Sequence, residues 1–355
     1  MDDLETGAPR AKRYAGAQSR ALLLTVQQVL AALLMMVAAT NAQQPSPPSS
    51  IIPQTLDDAW WTGPLLAPSA ATLARGHLLV EPYLYDVIGQ GRYDASGVRR
   101  RLPHSNGYGS LAYIVYGLRD RISVGLIPIV SYNTVIGGPS SSGLRLGDLT
   151  VQAQYRLTQF HLGSWLPTTS IAVQETFPTG TYDRLNRATD GFGTGAYTTT
   201  LGVYSQTYFW LPNGRIIRMR LNVSQTFSAR VNVEGMSVYG TNTGFRGRAA
   251  PAGSLFVDAA WEYSLTRSWV LALDATYAHD GNTRVKGYDT SDSADTRSPI
   301  FLQSDSGSSQ AFGLAPAIEY NWEPNLGVIV GVRVIPVGRN TAATITPAIA
   351  INFVH

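Results

Sequence analysis

The sequence predicts an all-β fold, a transmembrane antiparallel β-barrel of about twelve strands. Three observations carry that prediction. From residue 76 onward, apolar and polar residues alternate through long segments, most of them 10 to 15 residues, against about 5–6 for an ordinary strand. The connections between segments alternate short and long. Tryptophans gather at alternate short connections. Asp148–Leu157 shows the pattern: Leu149, Val151, Ala153, Tyr155 and Leu157 take every second place, and the residues between them are polar or charged. Successive strand side chains point to opposite faces, so this segment has one oily face and one wet face.

Residues 1–42 read as a cleaved signal peptide. Arg10, Lys12, Arg13 and Arg20 precede an apolar run from Ala21 to Ala39, and Thr40-Asn41-Ala42 supplies small residues for cleavage after Ala42. A retained anchor is the competing reading, which Gln27 and Gln28 disfavour by interrupting the run. Residues 43–75 carry Gln-Gln-Pro-Ser-Pro-Pro-Ser-Ser, Pro53, Pro64 and Pro68, as expected of a periplasmic linker or plug segment. Trp60 and Trp61 are expected at the barrel rim.

Twelve strands are expected in 76–355, over 77–87, 107–117, 120–132, 147–158, 167–177, 194–208, 215–227, 252–265, 267–279, 309–322, 325–337 and 341–353. A tilted membrane-crossing strand needs about 9–11 residues. The longer gaps 88–106, 133–146, 178–193, 228–251 and 280–308 fall at one end, and short turns such as 211–214 at the other. That asymmetry is the one expected of extracellular loops and periplasmic turns. Trp165, Trp210, Trp269 and Trp322 sit beside short turns, where an amphipathic ring favours the membrane interface.

Alternation also assigns faces. Leu221 and its neighbours Met219 and Val223 should meet lipid, while Arg218, Arg220 and Asn222 face inward. The candidate lumen-lining residues are Asp148, Gln152, Gln154, Arg156, Arg218, Arg220, Asp258, Glu262, Asp274, Glu319 and Arg333. A charge on the lipid face costs about 2–4 kcal/mol for Arg at the midplane, so these side chains belong inside. They could line a solute path or form a salt-bridged filling; the balance favours a narrow path. Strands 107–117 and 120–132 alternate poorly and leave their faces open. Glu175 shares a face with Ile171 and Val173, which implies an interfacial position or a bulge.

Composition narrows the function classes. The 27 basic and 24 acidic residues become 23 and 21 once the signal peptide is removed, a net of +2. No basic block dominates, which argues against nucleic acid. Cysteine is absent, as an oxidising periplasm permits. His104-Ser105 are adjacent and so point to opposite faces of a strand, the wrong geometry for a hydrolase dyad. No histidine shows metal-ligand spacing, and no cofactor is expected. Asp280, Asp289, Asp292 and Asp295 share one loop, as weak calcium sites do, but read better as a solvated loop. Arg99-Arg100-Arg101 could meet lipopolysaccharide phosphates or simply be solvated.

Gly76-His77-Leu78-Leu79-Val80-Glu81-Pro82-Tyr83-Leu84, Gly147-Asp148-Leu149 and Phe177-Pro178-Thr179-Gly180-Thr181-Tyr182-Asp183 resemble elements of a known family, the outer-membrane transporters of the meta-pathway of phenol degradation. The resemblance spans roughly 76–355. It implies a barrel in the outer membrane of a Gram-negative bacterium and passive uptake of small hydrophobic or aromatic solutes. Its expected partners are outer-membrane lipid and lipopolysaccharide, the solute, and the barrel-assembly machinery. An embedded phospholipase-like hydrolase and a structural or adhesive barrel are the alternatives. The terminus departs from many such barrels, since Val354-His355 follow Phe353, which keeps the outward parity of Ile345, Ile349 and Ile351.

Overall fold

Alternating sequence becomes alternating burial around a closed ring of strands. The structure is a computed structural model that describes residues 52–290 and 299–355, of which Pro53–His355 form one unit. The expected signal peptide and residues 43–51 lie outside the described residues. The ring holds twelve strands: β1 Leu78–Tyr93, β2 Ser105–Arg119, β3 Ile122–Ile127 continued by Ile129–Val135, β4 Leu149–Thr158, β5 Thr168–Phe177 and β6 Thr198–Trp210 make one half. β7 Ile216–Ser228, β8 Ser254–Ser264, β9 Trp269–Asp280, β10 Ser309–Glu323, β11 Leu326–Arg339 and β12 Ala342–Val354 make the other. Each strand pairs antiparallel with its chain neighbours, and β1 pairs with both β2 and β12, so no edge remains. In lipid, closure is what satisfies every backbone donor and acceptor.

The outer face is the oily one. Leu84, Leu126, Val173, Leu221, Ile318 and Ile349 are exposed, while Ser123, Ala172, Asn222 and Glu319 on the same strands are buried. At the turn end Trp269, Tyr320 and Trp322 form a band with ring centroids 4.7 and 5.2 Å apart. Ile345, Ile349, Ile351 and Phe353 all face outward, as the parity of β12 requires. β2 and β3 alternate poorly in sequence because their inward places hold Gly107, Gly109, Gly117, Ser123, Gly125 and Ser131, which carry no clear polar signature. Register makes these places inward: Tyr108 and Tyr116 on β2 and Leu126 on β3 are the exposed alternates.

Two expectations need correction. β1 runs six residues beyond 87, through a register slip between Gly89 and Gly91 that breaks its alternation. The gaps 228–251 and 280–308 are not plain loops. They contain a second sheet of Val231–Glu234, Phe245–Ala250, Arg284–Asp289 and Ile300–Asp305, paired in that order above β7, β8, β9 and β10. Its strands are 4 to 6 residues long, too short and too rich in Gly and Arg for a period to show. We call it the rim sheet. Its inner face packs Val231, Val233, Phe245, Ala249 and Val285 against Ala196, Tyr182 and Tyr239.

Candidate functional site

The Pro-rich residues 53–75 form only one short 3-10 turn, Leu56–Asp58, so most of their backbone amides and carbonyls need partners elsewhere. The barrel wall supplies them, and the segment runs as a strap through the turn-end half of the lumen. It enters beside β7, where Gln54 donates from its amide to the Gly214 carbonyl and Trp210 donates its indole N–H to the Gln54 carbonyl at 2.7 Å. The amides of Thr62 and Gly63 donate to Glu319 at 2.8 and 3.1 Å. Those of Leu65 and Ala67 donate to the two oxygens of Asp274, both at 3.0 Å. Arg220 and Asn222 donate to the carbonyls of Ala67 and Pro68 at 2.7 and 2.8 Å. Farther round, the Ala70 amide donates to Gln206, Gln154 donates to the Ser69 carbonyl, and the Leu73 amide donates to Ser123. The Gly76 amide then bonds the Gly117 carbonyl, and β1 begins.

Two glycines make the path possible. Gly63 adopts φ +129° with the Arg220 guanidinium 3.4 Å from where a Cβ would sit, a conformation that side-chain-bearing residues avoid. At Gly117 a Cβ would stand 2.0 Å from the Ala74 carbonyl oxygen.

Charges on β7, β8, β9 and β10 hold this strap and one another. Arg218 donates to both oxygens of Glu262, from Nε at 2.6 Å, and Arg220 Nε lies 3.2 Å from the same carboxylate. Glu262, Asp258, Asp274 and Glu319 are wholly buried. Trp61 lies under the Arg218 guanidinium at 4.7 Å, and Trp60 under Arg267 at 4.6 Å. The two tryptophans are thus stacked beneath cations.

The opposite wall is aromatic. Three cavities follow one another along β1. The one at the loop end, about 520 Å³, is lined by Tyr85, Val87, Asn133 and Phe192 among others. The middle one, about 260 Å³, shares Tyr85 and Val87 with it and adds Tyr83, Tyr113, Leu111 and Leu66, with Arg333 its one charged side chain. The third, about 280 Å³, shares Leu66, Tyr83 and Tyr113 and reaches Glu81, Asn352 and Val354 at the turn end. Tyr83 and Tyr113 meet edge to face at 5.9 Å. Over the first cavity the β5–β6 connection is pinned by Asp190, which accepts from the Ser142 amide at 2.7 Å and pairs with Arg145 at 2.8 Å. The Ser142 amide, then Arg145, hold the Asp190 carboxyl below its ordinary range.

The predicted site residues fall in overlapping groups. Arg218, Arg220, Glu262, Asp258, Asp274 and Glu319 are brought together on the strap-holding wall. Arg333 lines the middle cavity with its charge toward Asp258 and Asp274, and Arg218 and Arg220 join Gln152 and Gln154 in lining the third. Arg156 lies on β4 opposite the buried Ser170. Asp148 lies just before β4 and accepts from the amides of Gly180 and Thr194 at 2.9 and 2.6 Å, tying two connections together. Glu175 stays on the outward face and accepts from the Thr199 hydroxyl at 2.6 Å; the β5–β6 register passes it without a shift. Trp210 points inward to the strap. Arg100 pairs with Asp94 at 3.0 Å. Asp280 accepts from Ser309 and Asp289 from Asn242, while Asp292 and Asp295 lie outside the described residues. His104 ends the β1–β2 connection, and Ser105 opens β2 facing Gly89. The tyrosines of β1 were missed by sequence reasoning. Their signal was Tyr83 and Tyr85 two apart on one inward face.

A sequence match to the family described as "Putative MetA-pathway of phenol degradation" covers residues 115–346. The chain belongs to this family. No curated protein matches the sequence. Among solved structures, an outer membrane channel from Pseudomonas putida F1 is similar at 13% identity over 82% of this chain and 100% of that one, with a TM-score of 0.60. The β domain of the Bordetella autotransporter BrkA is similar at 10% identity over 79% and 99%, with a TM-score of 0.41. The first likeness shows that this phenol-degradation family member shares the channel's barrel fold.

Proposed function

We propose that the protein is an outer-membrane channel for passive uptake of small hydrophobic or aromatic molecules, with its loop end outside the cell. The observation that carries this is the run of three cavities along β1, joined by shared tyrosines, beside a strap held from the opposite wall. The middle cavity lies near the lower end of small-molecule sites, about 300–1,000 Å³, which suits a single aromatic ring. Its apolar and tyrosine lining favours an amphipathic ring, and Arg333 gives a polar substituent a partner. In this reading export removes residues 1–42, and 53–75 supply the strap that keeps the lumen narrow. The charged wall then serves chiefly to hold the strap, and the solute follows the tyrosines. Outward Phe353 on β12 suits recognition by the barrel-assembly machinery.

Single-channel current in planar bilayers tests the reading, with phenol as probe. The mature chain should give a small conductance that phenol interrupts. Tyr83→Ser with Tyr113→Ser should shorten the interruptions severalfold, and removal of 43–75 should raise the conductance severalfold. A current indifferent to phenol, or interruptions unchanged in the tyrosine variant, would overturn it.

A further inference from the structure

The rim sheet has an outward face that the uptake reading does not use. Residues directly opposite in an antiparallel pair share a face, so Arg248 and Lys286, which are register partners, project together. Arg284 and Tyr288 lie on the same face of the next positions along, and Tyr288 is partnered by Phe301 with rings 5.5 Å apart. Arg230 borders the same depression of about 430 Å³. Two carboxylates also lie on this face. Glu234 is shared between Arg184 and Arg246, and Asp305 pairs with Arg284 at 3.3 Å. Arg230, Arg248 and Lys286 make no ion pair among the described residues. Like charges opposed across a ladder repel; Asp305, already paired with Arg284, lies near Lys286, and the face still holds more cations than carboxylates.

Position identifies the anion. The rim strands follow β7, β8, β9 and β10 in the same order, and their inner face packs on Tyr182 and Ala196 of the β5–β6 connection that covers the lumen, which turns the basic face away from the lumen. The exposed Phe227 marks the upper oily edge of β7, and Arg230 follows three residues later, about 10 Å along an extended chain. That is headgroup height. Arginine and lysine bind phosphate by charge-assisted hydrogen bonds, and the exposed Tyr288 and Phe301 suit the boundary between acyl chains and sugars. We propose that this face docks the lipid A phosphates of lipopolysaccharide, with Arg230, Arg248 and Lys286 as the phosphate ligands. The site rests on the reading that the loop end is extracellular.

The test titrates the folded mature chain in detergent with lipopolysaccharide and follows binding by native mass spectrometry. Arg248→Gln with Lys286→Gln should weaken binding about tenfold or more, as expected for lost charge-assisted bonds. Dephosphorylated lipopolysaccharide should bind the unaltered chain as weakly. Arg230→Gln, outside the sheet ladder, gives the same direction should the double variant not fold. Arg119→Gln with Arg121→Gln, at the opposite, turn end, should leave binding unchanged. Equal affinity for variant and unaltered chain would overturn the site, as would equal competition by phosphatidylglycerol or inorganic phosphate. Orientation is read separately: a cysteine at Thr290 should react with an impermeant reagent on intact cells. Its silence alongside phosphate-dependent binding in detergent would sink the extracellular placement and leave the phosphate chemistry standing.

Discussion

Arg218 on β7 and Glu262 on β8 are register partners whose side chains close on each other, with Nε 2.6 Å from the carboxylate and the carboxylate wholly buried. Removing one member of such a pair leaves the other charge uncompensated, at a cost of about 3–5 kcal/mol. Arg218→Ala should therefore lower the thermal unfolding temperature of the barrel and leave its ion selectivity unchanged. Arg218→Met with Glu262→Gln should recover most of the loss. A selectivity shift without destabilisation would mean that Arg218 acts on the third cavity, which it lines, rather than in holding the wall.

Asp274 anchors the strap through both of its carboxylate oxygens. Two backbone amides end on its carboxylate, and hydrogen bonds to charged groups contribute about 1.5–3 kcal/mol each. Asp274→Ala should free the strap near Leu65 while the barrel stays folded. Proteolysis within 62–70 and a larger single-channel conductance would both report it. Unchanged conductance and protection would mean the remaining anchors suffice.

On β7 the faces divide sharply: Leu221 is 53% exposed and Asn222 is 3%. Leu221→Arg should reduce insertion by the roughly 2–4 kcal/mol of a lipid-facing arginine, whereas Leu221→Phe should be neutral. Asn222 is not a free inward place, because it donates to the Pro68 carbonyl. Arg at 222 should therefore displace the strap rather than pass silently. Folded fractions in gel mobility assays separate these outcomes.

In the β1–β2 connection the Ser96 hydroxyl, the Val98 amide and then Arg100 hold the Asp94 carboxyl at about 2, below its ordinary 3.8. A depressed pKa means the ionised form stabilises this turn, fully so above 3.8 and progressively less as pH falls through about 2. Protection of the Ser96 and Val98 amides, taken relative to the intrinsic exchange rate at each pH, should fall across that window. Asp94→Asn should abolish the pH dependence, and an unaltered profile in the variant would exclude Asp94 as the cause.

The barrel was legible in the sequence because lipid outside and water inside impose a period of two on every strand. That period turns Leu221 outward and Asn222, Glu262 and Glu319 inward, where the structure buries them, and it sets the turn ends of β7 to β12 within a residue or two. It failed where one face lacks character. Gly109 and Gly125 are inward by register, yet no residue type at those places says so. The rim sheet was hidden for the complementary reason, since in Phe245–Ala250 Gly247 and the adjacent Ala249 and Ala250 blur the alternation of polar and apolar residues. The strap's partners were invisible because carboxylates that cap backbone amides across more than 200 residues, as Asp274 does for Leu65, leave no local spacing. The charges were seen; that they answer to the backbone of 62–70 was not.

The strap is continuous with β1, joined through Gly76 and His77 to a strand that closes the ring. Its release from the anchors is therefore an intramolecular event. A short tether sets an effective concentration in the millimolar range, far above that of any solute competing for the same wall. In the uptake reading each opening would carry its own means of resealing, and the time spent open would be governed by how quickly residues 62–70 find Asp274 and Glu319 again.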